Sequence, residues 1–450
     1  MPVTGYAFEK HVHWIKPFAF KNQKKSDVSQ WFYMPNWQRQ EAPLSHEAIQ
    51  AKAILFFNDE STFAIEYLKR LRGHGCDIIE VLPGTRFIQN STRQFVVNPG
   101  RKSDYLNLFN ALQTLELKPT AIIHCWSVGQ GNDDFNRAMQ LGLYSVLFCT
   151  QGMLDSQFAL PQCIQIITNG IANVSGSEPI APFNATLIGM SQVLPKEIDD
   201  VHCQLLDIGV QTNDVFVSQQ CLFELMRGGN IELALRGRFR FAKAYQPVLL
   251  DNDALDKLII EEGKNYLVIG GLGNFGMELS EFIGAKHGGR IFLSTRMQFP
   301  DKNTWTDWLN NQPDSSITDK IRQIQAIEQL GAEVHIVRAD VCDKASLMTV
   351  KAYIEDDFGP LSGVVHAAGI VDSGMIAQKT TYSLEQVFAA KVQGTQLVCD
   401  VFLTQALDFL ILCSSMNSII GGLGQLDNTA ANAYIDAYAE YCQGLGYSQV

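Results

Sequence analysis

The stretch YLVIGGLGNFGMELSEFIGAKHGG, residues 266–289, constrains the fold of this chain more than any other. A β-branched and apolar run ends at Gly270, and Gly271, Gly273 and Gly276 then form G-x-G-x-x-G at the entrance to a helix. Small residues let a backbone turn sharply and approach a pyrophosphate, and the N–H groups of the helix's first turn face its charge. The strand before and the helix after give the glycines their meaning, because a strand that feeds a helix in this way belongs to a parallel α/β sheet. The expected dinucleotide contacts here are Gly270, Gly271, Leu272, Gly273, Asn274, Phe275 and Gly276.

The rest of the chain alternates apolar runs with helical stretches in two blocks, the pattern of parallel sheets. Block one holds ILFF (54–57), CDIIEVL (76–82), TAIIHCWS (120–127), YSVLFCTQGM (144–153) and IQIITNG (164–170). Block two holds YLVIGG (266–271), RIFLSTR (290–296), EVHIVRADV (333–341), GVVHAAGI (363–370) and FLILCSS (409–415). TAIIHCWSVG and SGVVHAAGIV place His124 and His366 alike at the end of a buried strand, and GLYSVLFCTQGM then matches GTQLVCDVFLTQAL as the helix that follows. The two blocks differ after their first strands. Block one runs into NDEST with no glycine turn and reads as a scaffold without a phosphate site. The polar, acidic stretch at 251–265 is the expected boundary, and residues 297–320 read as a surface insertion with a short helix bearing Trp305 and Trp308.

Composition narrows the partners. A length of 450 residues suits two or three domains, and 46% hydrophobic with 18% charged residues is ordinary globular composition. The formal charge of -12 argues against nucleic acid, whose phosphates need clustered Lys and Arg. No apolar run approaches the roughly 18 residues of a membrane span, and the amino terminus lacks a signal-peptide core. The ten cysteines are scattered without CxxC spacing, so buried, reduced thiols of a cytoplasmic protein are expected, and no metal site.

The ends of the later strands refine the cofactor. Thr295 and Arg296 close the second strand of block two; an acid there would bond a ribose 2′-hydroxyl, whereas Arg296 suits a 2′-phosphate, which favours NADPH over NADH. Asp340 and Val341 close the third strand, where an acid and an apolar neighbour can border an adenine. Ala367, Ala368 and Gly369 close the fourth and leave room beneath the cofactor, while His366 reads as a satisfied core histidine.

These residues resemble the ketoreductase domain of modular polyketide synthases, a branch of the short-chain dehydrogenases, and the likeness covers nearly the whole chain. GYAFEKHVHWI is similar to the linker that follows an acyltransferase in such assembly lines, WFYMPNWQRQ resembles the first strand of the structural subdomain, and GSEPIAPFNATLIGMSQVLPKEI its later part. The resemblance implies an α/β fold of two Rossmann-like parallel-sheet subdomains. The linker would be 1–30, a degenerate structural subdomain 31–250, and a dinucleotide-binding catalytic subdomain 251–450. The family continues past this point into another strand, a lid helix over the substrate and a final strand, so the catalytic subdomain reads as truncated at its C-terminus. The implied reaction is NADPH-dependent reduction of a β-ketoacyl thioester carried on the phosphopantetheine of an acyl carrier protein. Flanking synthase domains such as an acyltransferase would be partners, with no role for nucleic acid or membrane.

The family's active site is a Lys, a Ser, a Tyr and an Asn. The resemblance lays these on Lys391 in FAAKVQGTQLV, which also holds the nicotinamide ribose, on Ser415 in LCSSMNS, and on Asn432. The tyrosine falls at position 428 within GQLDNTAANA, where the chain carries Asn428. A tyrosine beside a lysine can protonate the alkoxide formed by hydride transfer, whereas an amide can hydrogen-bond a carbonyl but cannot deliver a proton at neutral pH. Tyr434 and Tyr438 stand too far round or too far up the helix to replace it and read as packing residues. The subclass signatures of the family correspond to Val371-Asp372-Ser373 and Ile420 here. A reduction-silent structural domain that spaces neighbouring enzymes is the alternative reading.

Overall fold

The computed structural model describes residues 25, 27–41, 53–129, 134–209, 214–229, 231–248, 260–287, 289–312 and 314–450. Most of the expected linker and residues 251–259 of the expected boundary lie outside them. Two compact units divide the chain. One is Met1–Pro35 with Tyr245–Lys257; the other is Asn36–Ala244 with Leu258–Val450. In the smaller unit, the Asp27 carboxylate accepts from Ser29 N and Oγ and caps a short 3-10 turn, Val28–Gln30. The larger unit carries the parallel core of the molecule.

The fold is α/β, with the parallel sheets expected. The first sheet is built from β1 (Phe32–Gln40), β2 (Ala53–Phe57), β3 (Asp77–Pro83), β4 (Ile88–Gln89), β5 (Gln94–Val97), β6 (Ala121–Ser127), β7 (Cys163–Thr168), β8 (His202–Ile208), β9 (Ile231–Arg236) and β10 (Phe239–Val248). Its order is β1-β10-β9-β8-β7-β6-β2-β3-β5-β4. The second sheet, β11 (Asn265–Ile269), β12 (Arg290–Thr295), β13 (Glu333–Arg338), β14 (Leu361–His366) and β15 (Phe409–Leu412), has the order β13-β12-β11-β14-β15 and is parallel throughout. The run β5-β3-β2-β6-β7 of the first sheet repeats that order, and the registers agree: Phe57 pairs with His124 as Ile269 pairs with His366.

Strand residues alternate between faces with a period of two, which assigns each to one of three cores. Leu55, Phe57, Leu267 and Ile269 face a core continuous through both halves. Ile54 and Phe56 face an outer core of the first sheet, and Tyr266 and Val268 an outer core of the second. Where the central core joins the halves, helix Leu426–Gly444 lies on helix Leu187–Glu197 so closely that a Cβ on Gly189 would stand 2.8 Å from the Cβ of Ala430.

Strand β8 was not apparent from its residues because Gln204 and Asp207 interrupt its apolar run, although both are fully buried. Their partners come from other elements. Gln165 Nε2 donates to Gln204 Oε1 at 2.8 Å, Gln204 Nε2 donates to Glu224 O at 2.7 Å, and Arg236 Nη2 meets Asp207 Oδ2 at 2.9 Å. The expectation that every cysteine is buried needs correction. All ten are free, but Cys342 is exposed and Cys413 half-buried, since both follow strand ends at the carboxyl edge rather than lying within the packed layers. Among the described residues no helix is long and apolar enough to cross a membrane, and no cluster of three or more His, Cys, Asp or Glu could hold a metal ion.

Candidate functional site

At the carboxyl edge of the second sheet the chain leaves β11 through a turn that only glycine fits. Gly270 has φ +79, and a Cβ there would stand 2.7 Å from the Ala368 backbone. Gly273 N donates back to Gly270 O at 3.0 Å, and helix Asn274–His287 follows at once. The turn walls a cleft of ≈ 410 Å³. Of the expected contacts, Gly270, Leu272, Gly273, Thr295, Arg296, Asp340, Val341, Ala367, Ala368 and Gly369 line it. Gly271 and Gly276 do not; a Cβ on Gly271 would meet Leu293 at 2.9 Å, and one on Gly276 would meet Gly270 O at 2.8 Å, so these two let strand, turn and helix pack. Asn274 and Phe275 open the helix, are exposed and do not line the cleft. Cys342, Gln386, Ala389 and Ala390 are among the further lining residues, none of them singled out in the sequence.

Arg296 is exposed and takes part in no ion pair among the described residues, whereas Arg290 at the other end of β12 is held by Glu333 at 2.8 Å. Asp340 shapes its own loop by accepting from Cys342 N at 2.9 Å. The glycine cradle, the open helix entrance and the free guanidinium thus fit a phosphate-bearing dinucleotide.

Lys391 enters this site from a π-helical turn, Ala389–Gln393, a local distortion often found at functional positions. Its side chain passes over Gly369, where a Cβ would stand 2.7 Å from Lys391 Cε, and so borders the cleft without lining it. Burial pushes the ammonium below its ordinary pKa, with Cys413 and Asp436 acting in the opposite sense. From Lys391 a chain of hydrogen bonds runs along the first turns of helix Leu426–Gly444. Lys391 Nζ donates to Asn432 Oδ1 at 2.6 Å, and Asn432 Nδ2 donates to Asn428 Oδ1 at 2.8 Å. Asn428 Nδ2 donates in turn to Gln425 Oε1 at 3.3 Å, and Gln425 Nε2 donates to Ser373 Oγ at 2.7 Å. The i, i+4 spacing of 428 and 432 stacks the two asparagines on one helix face.

Ser415 is not joined to that chain. Its Oγ accepts from Asn417 N at 3.2 Å, while the neighbouring Ser414 Oγ donates to Asn432 O at 3.3 Å. His366 is fully enclosed, with Nε2 at 3.1 Å from Ala390 O, and burial lowers its pKa to about 4. Tyr434 and Tyr438 stack on each other at 5.5 Å, and Tyr434 stacks on Phe183 at 5.5 Å. They pack against the first half.

A buried ion cluster at the head of the same helix escaped the sequence reading. Lys379 Nζ lies 2.5 Å from Asp427 Oδ2 and 3.1 Å from Asp372 Oδ2, and the Lys379 and Asp427 side chains are almost inaccessible. Burial raises the Asp427 carboxyl above its ordinary pKa, opposed by the Lys379 hydrogen bond and charge. The only local signal was Asp427 itself, a carboxylate just inside an alanine-rich helix; its partner lies 48 residues away.

Fold and site together define a dinucleotide-binding α/β protein. Comparison with known proteins finds similar sequences and folds. Residues 264–450 match the KR domain profile, and residues 52–224 match a profile described as beta-ketoacyl synthase-like, N-terminal. The chain is 28% identical over 343 residues to 6-methylsalicylic acid synthase of Aspergillus terreus, covering 75% of this chain and 18% of that protein. It is 29% identical over 284 residues to a phenolphthiocerol/phthiocerol polyketide synthase of Mycobacterium tuberculosis, covering 62% and 15%. The chain thus spans less than a fifth of the length of these two relatives. Among solved structures, an N-terminal ketoreductase from the macrolactin assembly line superposes with a TM-score of 0.78 at 23% identity, covering 92% of this chain and 81% of that one. A structure of A-type ketoreductases from a modular polyketide synthase gives 0.73 at 21%, covering 93% and 81%. Residues 264–450 thus match the KR domain, a nicotinamide-cofactor-binding fold, and the chain's relatives include polyketide synthases.

Proposed function

We propose that this chain is a ketoreductase region that binds NADPH in the cleft of its second half but is impaired in reducing the ketone. Residues 31–250 act as its structural subdomain and 251–450 as its catalytic one. The substrate class is a β-ketoacyl thioester on an acyl carrier protein, as its polyketide synthase relatives suggest. Gly270 and Gly273 would seat the pyrophosphate, Arg296 the 2′-phosphate, Asp340 and Val341 the adenine, and Lys391 the nicotinamide ribose. When bound, the cofactor supplies hydride. The protein must then supply a proton to the alkoxide oxygen, and Ser415 a hydrogen bond to it.

One observation carries the impairment: the Asn428 amide is engaged at both ends. Its oxygen accepts from Asn432 and its nitrogen donates to Gln425, so the donors from Lys391 to Ser373 all point one way. Three of the links are amides, which hold an orientation but do not pass a proton on. Loss of a general acid lowers the rate about 10²–10⁴-fold. The test is Asn428→Tyr, with NADPH binding and NADPH oxidation by a β-ketoacyl thioester measured separately. The parent chain should bind NADPH and turn over slowly or not at all, and the variant should gain rate by a factor within that range. Binding without any gain would favour the silent spacer; absence of binding in the parent would remove the cofactor assignment.

A further inference from the structure

We infer that Glu197, in the first half, is a positioning residue for the two loops that flank the carbonyl site of the second. Resting on the ketoreductase reading for what those loops do, the inference concerns a contact that the reading does not include. Helix Leu187–Glu197 runs beneath the segment from Ser415 to Ala430. Gly189 meets Ala430, and a Cβ on Gly421 would stand 2.8 Å from the Cβ of Gln192. Lys196 Nζ donates to Ile420 O. At the end of that helix the Glu197 carboxylate accepts two backbone N–H groups from two different loops. Oε2 takes Ile376 N at 2.6 Å, in the loop after β14, and Oε1 takes Gly424 N at 2.9 Å, in the turn before the asparagine helix.

A carboxylate in the last turn of a helix sits at the wrong end of the macrodipole, so helix stability does not explain it. Its two acceptor atoms do. Ionised, the group offers both oxygens and no donor, which suits two N–H groups arriving from separate loops. The loops are also tied to each other. Gly374 N donates to Gly424 O at 3.0 Å, Gln425 Nε2 reaches Ser373 Oγ, and Lys379 bridges Asp372 to Asp427. A second residue of the first half, the fully buried Gln151, donates through Nε2 to both Ile376 O and Lys379 O at 2.7 Å. The first half therefore fixes where Ser373 and the Gln425–Asn428 turn stand relative to Ser415 and Lys391. Without Glu197 the two loops keep their mutual contacts but lose their common anchor.

The experiment is hydrogen exchange on the full chain for Glu197→Gln and Glu197→Ala, with NADPH affinity measured alongside. Gln keeps the shape and fills the same space but offers one acceptor oxygen. It should release one of the two loops, 372–379 or 421–427, and Ala should release both, each by about tenfold or more in exchange rate. Exchange over 266–276 and NADPH affinity should stay within about twofold of the parent, because the glycine turn packs on Leu293 and the Ala367–Ala368 backbone. A role in packing alone predicts that Gln behaves as the parent does, and that result would overturn the inference, as would faster exchange across the whole second half. Placing Glu197→Gln on the Asn428→Tyr chain adds a kinetic readout: kcat should fall while KM for NADPH holds. If Asn428→Tyr restores no turnover, the proposed reduction fails, and exchange still decides the anchor on its own.

Discussion

The two sheets repeat the same five-strand order, and what differs is the space just past the first strand of each. In the second half Gly270 follows the strand, Ala368 lies against it, and a cleft opens. The register places Asn58 and Trp126 at the matching positions of the first half. Trp126 is fully buried, donates through Nε1 to Asn58 O at 3.0 Å and packs edge-on against Phe57 at 5.0 Å. The helix that follows is capped from within, by Ser61 Oγ accepting from Ala64 N at 3.2 Å, and the Asp59 carboxylate sits beside it. An indole fills the volume and a carboxylate repels phosphate at the point where the second half offers glycine and alanine. The same duplicated frame thus serves once as core and once as site, and the side chains after two strands decide which.

The largest expected effect transfers the plug from one half to the other. Ala368→Trp should abolish NADPH binding, because an indole at this lining position would occupy the cleft, while Trp126→Ala should leave NADPH affinity and its 1:1 stoichiometry unchanged and destabilise the fold by about 3–5 kcal/mol. Calorimetric titration and urea unfolding read both; a second NADPH site in Trp126→Ala would break the comparison at its root.

The two matching histidines sharpen it next. Burial lowers His124 to about 3 and His366 to about 4, both below the unfolded value. In the window from pH 6.5 down to 4 the unfolded chain takes up protons that the native one refuses, so stability present above pH 6.5 is lost as pH falls, by about 3 kcal/mol for each histidine. His366→Gln should flatten the pH dependence of the urea midpoint over that window. An unchanged slope would show that His366 is not held neutral.

The smallest effect concerns the cofactor's far end. Arg296→Ala should weaken NADPH about tenfold and leave NADH within about twofold, as expected for one charge-assisted contact to a 2′-phosphate. Equal losses for both cofactors would remove that role.

Much of the second half was legible because its constraints are local. A strand, three glycines and a helix within about 25 residues specify a turn, since φ and close backbone approach are properties of neighbouring residues. The absence of a tyrosine at 428 is likewise a one-position fact. Strand β8 was hidden, because its polar core residues are satisfied by Gln165, Glu224 and Arg236 from other elements. The Lys379–Asp427 pair and the Glu197 anchor were hidden for the same reason, as no spacing rule joins residues 48 or 227 apart.

The amino-acid sequence by itself determined the parallel α/β class, the duplication, the glycine turn and the asparagine at position 428. All of these follow from periodicity, backbone freedom and the identity of single side chains. Only the tertiary structure decided that Trp126 fills the first half's cleft, that Asn428 is tied at both ends, and that Glu197 reaches two loops of the other half. Those depend on which buried polar groups meet across the fold, and a buried donor or acceptor takes whatever partner packing brings within reach.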